Sequence, residues 1–229
     1  MVGAGTAVSQ TLSRGLRVLE ELAAAPRGLS VDEAAAALGV HRSIAYRLLR
    51  TLEHHRLAER DEGGRYRPGI GLAVLSRGVL PDLRAAAERV LEQVVEEVGM
   101  TAFVVVARGS ECVTLASVEP RHHGASLAQR PGTVHPLAAG APGLALQAAG
   151  AAGSSARAAE VEVVRRQGWA VSHDEVVPGL RSVAVPVPAH LGEPCALAVV
   201  HLDGENAPPQ PLVDRLTRAA VQLARALGA

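Results

Sequence analysis

The stretch SVDEAAAALGVHRSIAYRLLRTLEHHRLAERDEGGRYRPG, Ser30–Gly69, decides the fold of the N-terminal part of this chain. Inside it, HRSIAYRLLRTLEHH (His41–His55) carries two stripes. Ile44, Ala45, Leu48, Leu49 and Leu52 recur at three- and four-residue steps, which on a helix places them on one side. Ser43, Tyr46, Arg47 and Arg50 follow the same rhythm on the opposite side, with Arg42 just ahead of them. The first stripe suits a core. The second offers a hydroxyl, a phenol and guanidiniums, groups that hydrogen-bond phosphates and base edges.

Ser30-Val31-Asp32-Glu33 is a capping-box pattern, in which the Ser and Glu side chains satisfy free backbone donors of a first helical turn. The helix it opens stops at Gly39, and the two-striped helix follows after a tight turn, as in a helix-turn-helix whose second helix enters the major groove. Leu57-Ala58, a Gly63-Gly64 turn and Arg65-Tyr66-Arg67 then read as a two-stranded wing. Before the stretch, Leu12, Leu16, Leu19 and Leu22 form a leucine stripe that ends at Pro26-Arg27-Gly28.

The 229 residues carry no lysine, and 23 basic residues balance 23 acidic ones, which argues against a generic polyanion binder. The distribution says more: residues 40–67 hold seven arginines against four acids. With one Phe, one Trp and two Tyr, the core must be built from Ala, Val and Leu. Cys112 and Cys195 lie far apart in apolar runs, as buried free thiols of a reducing cytoplasm would. No apolar run is long enough to span a membrane and the first ten residues lack a signal-peptide pattern, so a soluble, cytoplasmic protein is expected.

Residues 70–99 again read as helical, broken by Pro81, with Leu83, Ala87, Val90, Leu91, Val94 and Val98 as the stripe of the second part and a domain boundary near Leu80. After Gly99 the period changes. Strands are expected at Thr101–Ala107, Cys112–Val118, Gly124–Arg130, Trp169–His173, Leu180–Pro188 and Pro194–Leu202, and helices at Pro136–Ala149, Ser155–Gln167 and Leu212–Leu227. Without a βαβ rhythm this is an α+β domain with an antiparallel sheet.

Three blocks together resemble the IclR family of bacterial transcription regulators over nearly the whole chain: SRGLRVLEELA, LSVDEAAAALGVHRSIAYRLLRTLEHHRLAERDEGGRYRPG and GWAVSHDEVVPGLRSVAVPVPAHLGEPCALAVV. The resemblance implies a winged helix-turn-helix DNA-binding domain with the start of a linker helix over residues 1–80. It further implies a GAF-like or profilin-like effector-binding and oligomerisation domain over 81–229. The implied partners are a near-palindromic double-stranded DNA operator, a small organic effector such as a carboxylic or aromatic acid, and further copies of the chain in a homodimer or dimer of dimers. Carried over residue by residue, DNA contacts fall on Arg42, Ser43, Tyr46 and Arg47 of the helix and Arg65 and Arg67 of the wing. Pocket positions fall on Leu127, His135, Ala141, Ser172, Ser182, Val199 and His201. The chain departs from the family pattern in two places: Leu144 stands where a basic residue is usual, and the connection from Ala149 to Ser155 is short.

Each site has a plainer reading. A charged helix face is ordinarily a solvated one, and Arg50 and Arg56 divide between phosphate contact and helix-end charge. Arg65 and Arg67 could be strand surface. His135, His173 and His201 could converge, yet no close paired Cys/His spacing announces a metal, and the adjacent pairs His54-His55 and His122-His123 cannot both reach one ion from regular structure. Asp174-Glu175 before Pro178-Gly179 reads as a turn, with any ligand role secondary. No nucleophile elbow and no phosphate loop is present, so neither an enzyme nor a cofactor is expected. Two rival readings remain: a DNA-binding regulator whose C-terminal domain only oligomerises, and an enzyme with an appended helix-turn-helix.

Overall fold

The computed structural model describes residues 8–120, 129–153, 155–188, 193–202 and 209–228. The chain divides into two compact units, Met1–Leu80 and Pro81–Ala229.

In the first unit Ser9 caps α1 (Gln10–Ala24) by accepting the Leu12 N–H. The capping box before α2 (Val31–Leu38) forms as its sequence requires: Ser30 Oγ accepts the Glu33 N–H and the Glu33 carboxylate accepts the Ser30 N–H at 2.7 Å. Gly39 closes α2 at φ +64°, a left-handed conformation that glycine adopts without steric cost, and so turns the chain into α3 (Arg42–His54). The wing strands β1 (Ala58–Arg60) and β2 (Tyr66–Pro68) pair antiparallel from Ala58↔Pro68 to Arg60↔Tyr66. Leu29 bridges Tyr66, which ties the wing to the segment just before α2. The short α4 (Gly71–Ser76) completes the unit.

Val18, Leu22, Leu49 and Tyr66 are the large side chains fully buried in this core, joined by Ala34, Leu38, Leu48 and Leu52. The expected leucine stripe of α1 is therefore only half right. Leu22 is buried, but Leu12 and Leu16 are 63% and 51% exposed, and Val18 takes the core position instead. Only the second half of α1 has core residues of α2 and α3 across from it.

The second unit begins with α5 (Pro81–Val98), which buries Leu83, Ala86, Ala87, Val90, Leu91, Val94 and Val95. Pro81 starts this helix, and in the first turn its missing N–H costs nothing. The residue before it, Leu80, has φ +45°. Then come β3 (Thr101–Arg108), β4 (Glu111–Val118), β5 (Val134–Pro136), α6 (Gly140–Ala148), a 3₁₀ turn at Ser155–Arg157, α7 (Ala158–Gln167), β6 (Ala170–His173), β7 (Leu180–Pro186), β8 (Cys195–Leu202) and α8 (Pro209–Ala226). The six strands form one sheet in the order β5-β4-β3-β8-β7-β6, every neighbouring pair antiparallel. The α+β class with an antiparallel sheet is as expected.

α6 and α7 cover one face of the sheet, packing Leu144, Leu146, Val161 and Val164 on Phe103, Val105, Ala196, Ala198 and Val200. The other face meets α5 and α8. Most of the strand expected at Gly124–Arg130 lies outside the described residues; the strand observed next to β4 is Val134–Pro136, placing His135 opposite Cys112. Pro142 sits in the first turn of α6, where it is tolerated. Gln147 fastens this helix from within by donating to the carbonyls of Leu137 and Gly143.

Candidate functional site

The amphipathic pattern of α3 has a direct structural result. Ala45, Leu48, Leu49 and Leu52 are buried, while Arg42, Ser43, Tyr46, Arg47 and Arg50 stand in solvent, Tyr46 with 48% of its surface exposed. Several of these groups are locally held. Arg42 pairs with Asp32 of α2 at 2.8 Å, Ser43 bonds the His41 ring at 2.9 Å, and Arg50 pairs with Glu53 at 2.6 Å. Both partners of the Arg42 pair are widely exposed, so it gives way readily to a phosphate. Among the described residues no ion pair engages Arg47. Tyr46 and Arg47 thus form an uncommitted centre on the face of a second helix in a helix-turn-helix.

Arg65 is placed differently from its expected role. Its Nε donates to the Arg27 carbonyl at 3.0 Å, and its Nη2 to the Gly28 carbonyl at 2.8 Å and to Glu33 at 2.7 Å. The Leu29↔Tyr66 bridge brings residue 65 alongside those carbonyls, so the guanidinium is drawn inward as a strut between the wing and the capping box. Glu33 records this. The Ser30 N–H, Arg65 and the Ser30 hydroxyl bond its carboxylate and hold its pKa down at about 2. Arg67 remains outward, half exposed and 3.5 Å from Asp61, and Arg60 lies over the Tyr66 ring.

In the second unit, an open cleft of about 420 Å³, counting the solvent at its mouth, lies beside the N-terminus of α6. His135, Ser172 and Ser182 line it together with Phe103, Val200 and the loop around Glu175. Three expected pocket residues fall elsewhere. Ala141 is buried behind the lining, where its N–H donates to Ser172 Oγ at 2.8 Å. Val199 and His201 are on the opposite face of β8: strand side chains alternate, and it is Val200 that faces the cleft. Leu127 lies outside the described residues, as do His122 and His123. Reading the sequence missed Phe103, Gln129, Glu175 and Arg181 on the lining. Only Glu175 had a signal, in the Asp174-Glu175 turn.

The polar groups of the cleft are tightly partnered. Glu175 Oε2 accepts the Gly140 N–H at 2.8 Å and an Arg157 Nη1–H at 2.5 Å, while Arg157 also bonds Glu160 and the Ala138 carbonyl. Burial pushes the Glu175 carboxyl up, but the bonds from Arg157 and Gly140 outweigh it and the net direction is down, toward the ionised form. His135 Nδ1 is 3.1 Å from the Pro136 carbonyl, so that nitrogen carries the proton. Burial lowers the His135 pKa and keeps the ring neutral, leaving Nε2 as an acceptor. Ser182 donates to the Val199 carbonyl and Gln129 Nε2 to Thr114 Oγ1.

Among the described residues no group of three or more His, Cys, Asp or Glu is placed to hold a metal ion. Cys112 and Cys195 are free, buried thiols with pKa values pushed up to about 12 by burial. Among the described residues no helix is long and apolar enough to cross a membrane.

Residues 11–62 match the IclR helix-turn-helix domain. Over 96% of its length the chain is 26% identical to the glycerol operon regulatory protein of Streptomyces griseus, covering 97% of that relative. It also superposes on the crystal structure of an IclR transcriptional regulator from Alicyclobacillus acidocaldarius with a TM-score of 0.81, at 25% identity, covering 97% of this chain and all of the other. The chain carries an IclR helix-turn-helix and is similar to IclR-type regulators over nearly its whole length. It is thus an IclR-type transcriptional regulator with a DNA-binding helix-turn-helix. An IclR homologue from Microbacterium hydrocarbonoxydans, solved with 4-hydroxybenzoate, shares the fold with a TM-score of 0.79 at 22% identity over 95% of this chain and 99% of its own.

Proposed function

We propose that this IclR-type regulator binds a near-palindromic operator as a homodimer and responds to a small organic molecule held in the cleft of the second unit. The observation that carries the DNA reading is the exposed Tyr46–Arg47 centre of α3, backed by a buried apolar stripe and preceded by a capped helix and tight turn. Arg42, Ser43 and Arg67 add phosphate or base contacts around it, and Arg50 contributes once its bond to Glu53 is exchanged. Large apolar side chains left in solvent on the first unit, among them Leu12, Leu16, Ile70, Val74 and Leu75, support self-association. The complex of the Microbacterium homologue supports an organic ligand of aromatic size. Ligand occupancy then changes the placement of paired DNA-binding units through the Arg77–Leu80 connection, because half-sites demand fixed spacing.

Footprinting on DNA selected from random sequence tests this reading. Arg47→Ala is expected to abolish protection while the protein stays folded; undiminished protection by that variant would refute the assignment of α3. If a dimer neutralises roughly six to eight phosphates, log affinity falls against log salt with a slope of about −5 to −7.

A further inference from the structure

Among the described residues, several side chains lining the cleft present acceptors. Glu175 presents a carboxylate, His135 a bare Nε2, and Ser182 an oxygen whose proton goes to the Val199 carbonyl. Gln129 gives one N–H to Thr114 and retains the other together with its carbonyl oxygen. The N–H groups that open a helix would ordinarily welcome an anion. Here both leading ones are already taken: Gly140 N–H by Glu175 and Ala141 N–H by Ser172. Arg157, with its side chain only 18% exposed, clamps the Glu175 carboxylate in place and bonds the Ala138 carbonyl on the same rim. Arg181 also lines the cleft but is already engaged in an interaction of its own.

A ligand carboxylate at the start of α6 would have to displace an internal carboxylate held by an arginine, or else lie beside the Glu175 charge with the Ser172 hydroxyl and one Gln129 N–H as the uncommitted donors among the described lining residues. We propose that the cleft selects an uncharged molecule bearing hydrogen-bond donors, such as a phenol, an alcohol or a primary amide, and that Glu175 is the residue that rejects carboxylates. This rests on the reading of the cleft as an effector site and narrows the ligand class within it. Phe103 supplies an apolar wall, and Ser172, which accepts from Ala141, retains its own proton for a ligand oxygen.

Benzamide and benzoate test the proposal, since they share a ring and a planar head but differ in charge and donors. Both are titrated into the full-length, ¹⁵N-labelled protein while the amide signals of Gly140, Ala141 and Ser172 are followed. Benzamide is expected to bind at least about tenfold more tightly than benzoate, the size of a modest like-charge penalty. Glu175→Gln keeps an oxygen for the Gly140 N–H and removes the charge, and is expected to bring the two affinities within about threefold. A wild-type preference for benzoate, or no preference, overturns the proposal without any variant. An unchanged ratio in Glu175→Gln, with the amide spectrum showing it folded, overturns the role of Glu175. If neither compound shifts these signals in either protein, the effector-site reading fails and the proposal with it.

Discussion

Arg47 and Arg65 are both basic residues of the DNA-binding unit, and their substitution should produce opposite phenotypes. Arg47→Ala removes an exposed, unpaired cation, so melting temperature should hold while operator binding is lost. Arg65→Ala removes a guanidinium that binds two carbonyls and Glu33, so the first unit should lose about 1–3 kcal/mol of stability, read by denaturant unfolding. A loss of DNA binding without a loss of stability in Arg65→Ala would return it to the DNA-contacting set. Glu33 makes the same strut sensitive to acid. Its carboxylate is held down at about 2, so the stabilisation it lends is complete above an unfolded value near 4.5 and disappears as pH falls toward about 2. Circular dichroism of the Glu33→Gln variant should show a shallower acid dependence across that window. Gly143 of α6 is constrained by contact rather than by conformation. A Cβ there would lie 2.3 Å from the Leu137 carbonyl, and Gly143→Ala should cost the second unit about 1–3 kcal/mol in thermal unfolding.

At the scale of elements, periodicity made α2, α3 and the wing readable, because each carries its reason within a dozen residues: a capping box, two opposed stripes, a Gly-Gly turn. The role of Arg65 was hidden because it depends on a bridge from Leu29 to Tyr66, a pairing between distant segments that no local pattern announces. Val199 and His201 failed for a different reason. A strand exchanges its faces every residue, so naming the right strand still leaves the facing residue open, and β8 turns Val200 to the cleft. The role of Glu175 is equally non-local, since its carboxylate is held by Gly140 and Arg157, 35 and 18 residues away along the chain. The short α6 is buried along nearly its whole length, so Leu146→Ala should cost about 2–5 kcal/mol, measured by denaturant unfolding, and disturb the cleft as well as the core.

For the whole molecule, two units, their order and a boundary near Leu80 are read from the sequence. α5 is a layer of the second unit and α4 belongs to the first, which leaves Arg77–Leu80 as the covalent passage between them. The apolar side chains on α1 and α4 that no described residue covers predict concentration-dependent self-association. In sedimentation equilibrium, the double variant Leu12→Glu, Leu16→Glu should shift the population toward monomer and weaken operator binding in proportion. The Arg65 strut has one more result at this scale. By fastening the wing to the cap of α2, it makes recognition helix and wing a single caliper with a fixed gap. An operator must then match the caliper as well as the bases. One base pair inserted between the segments under helix and wing displaces them by about 3.4 Å and rotates them by roughly 35°. Binding should fail on such DNA even with every contacted base intact, and slackening the caliper with Arg65→Ala should recover part of it.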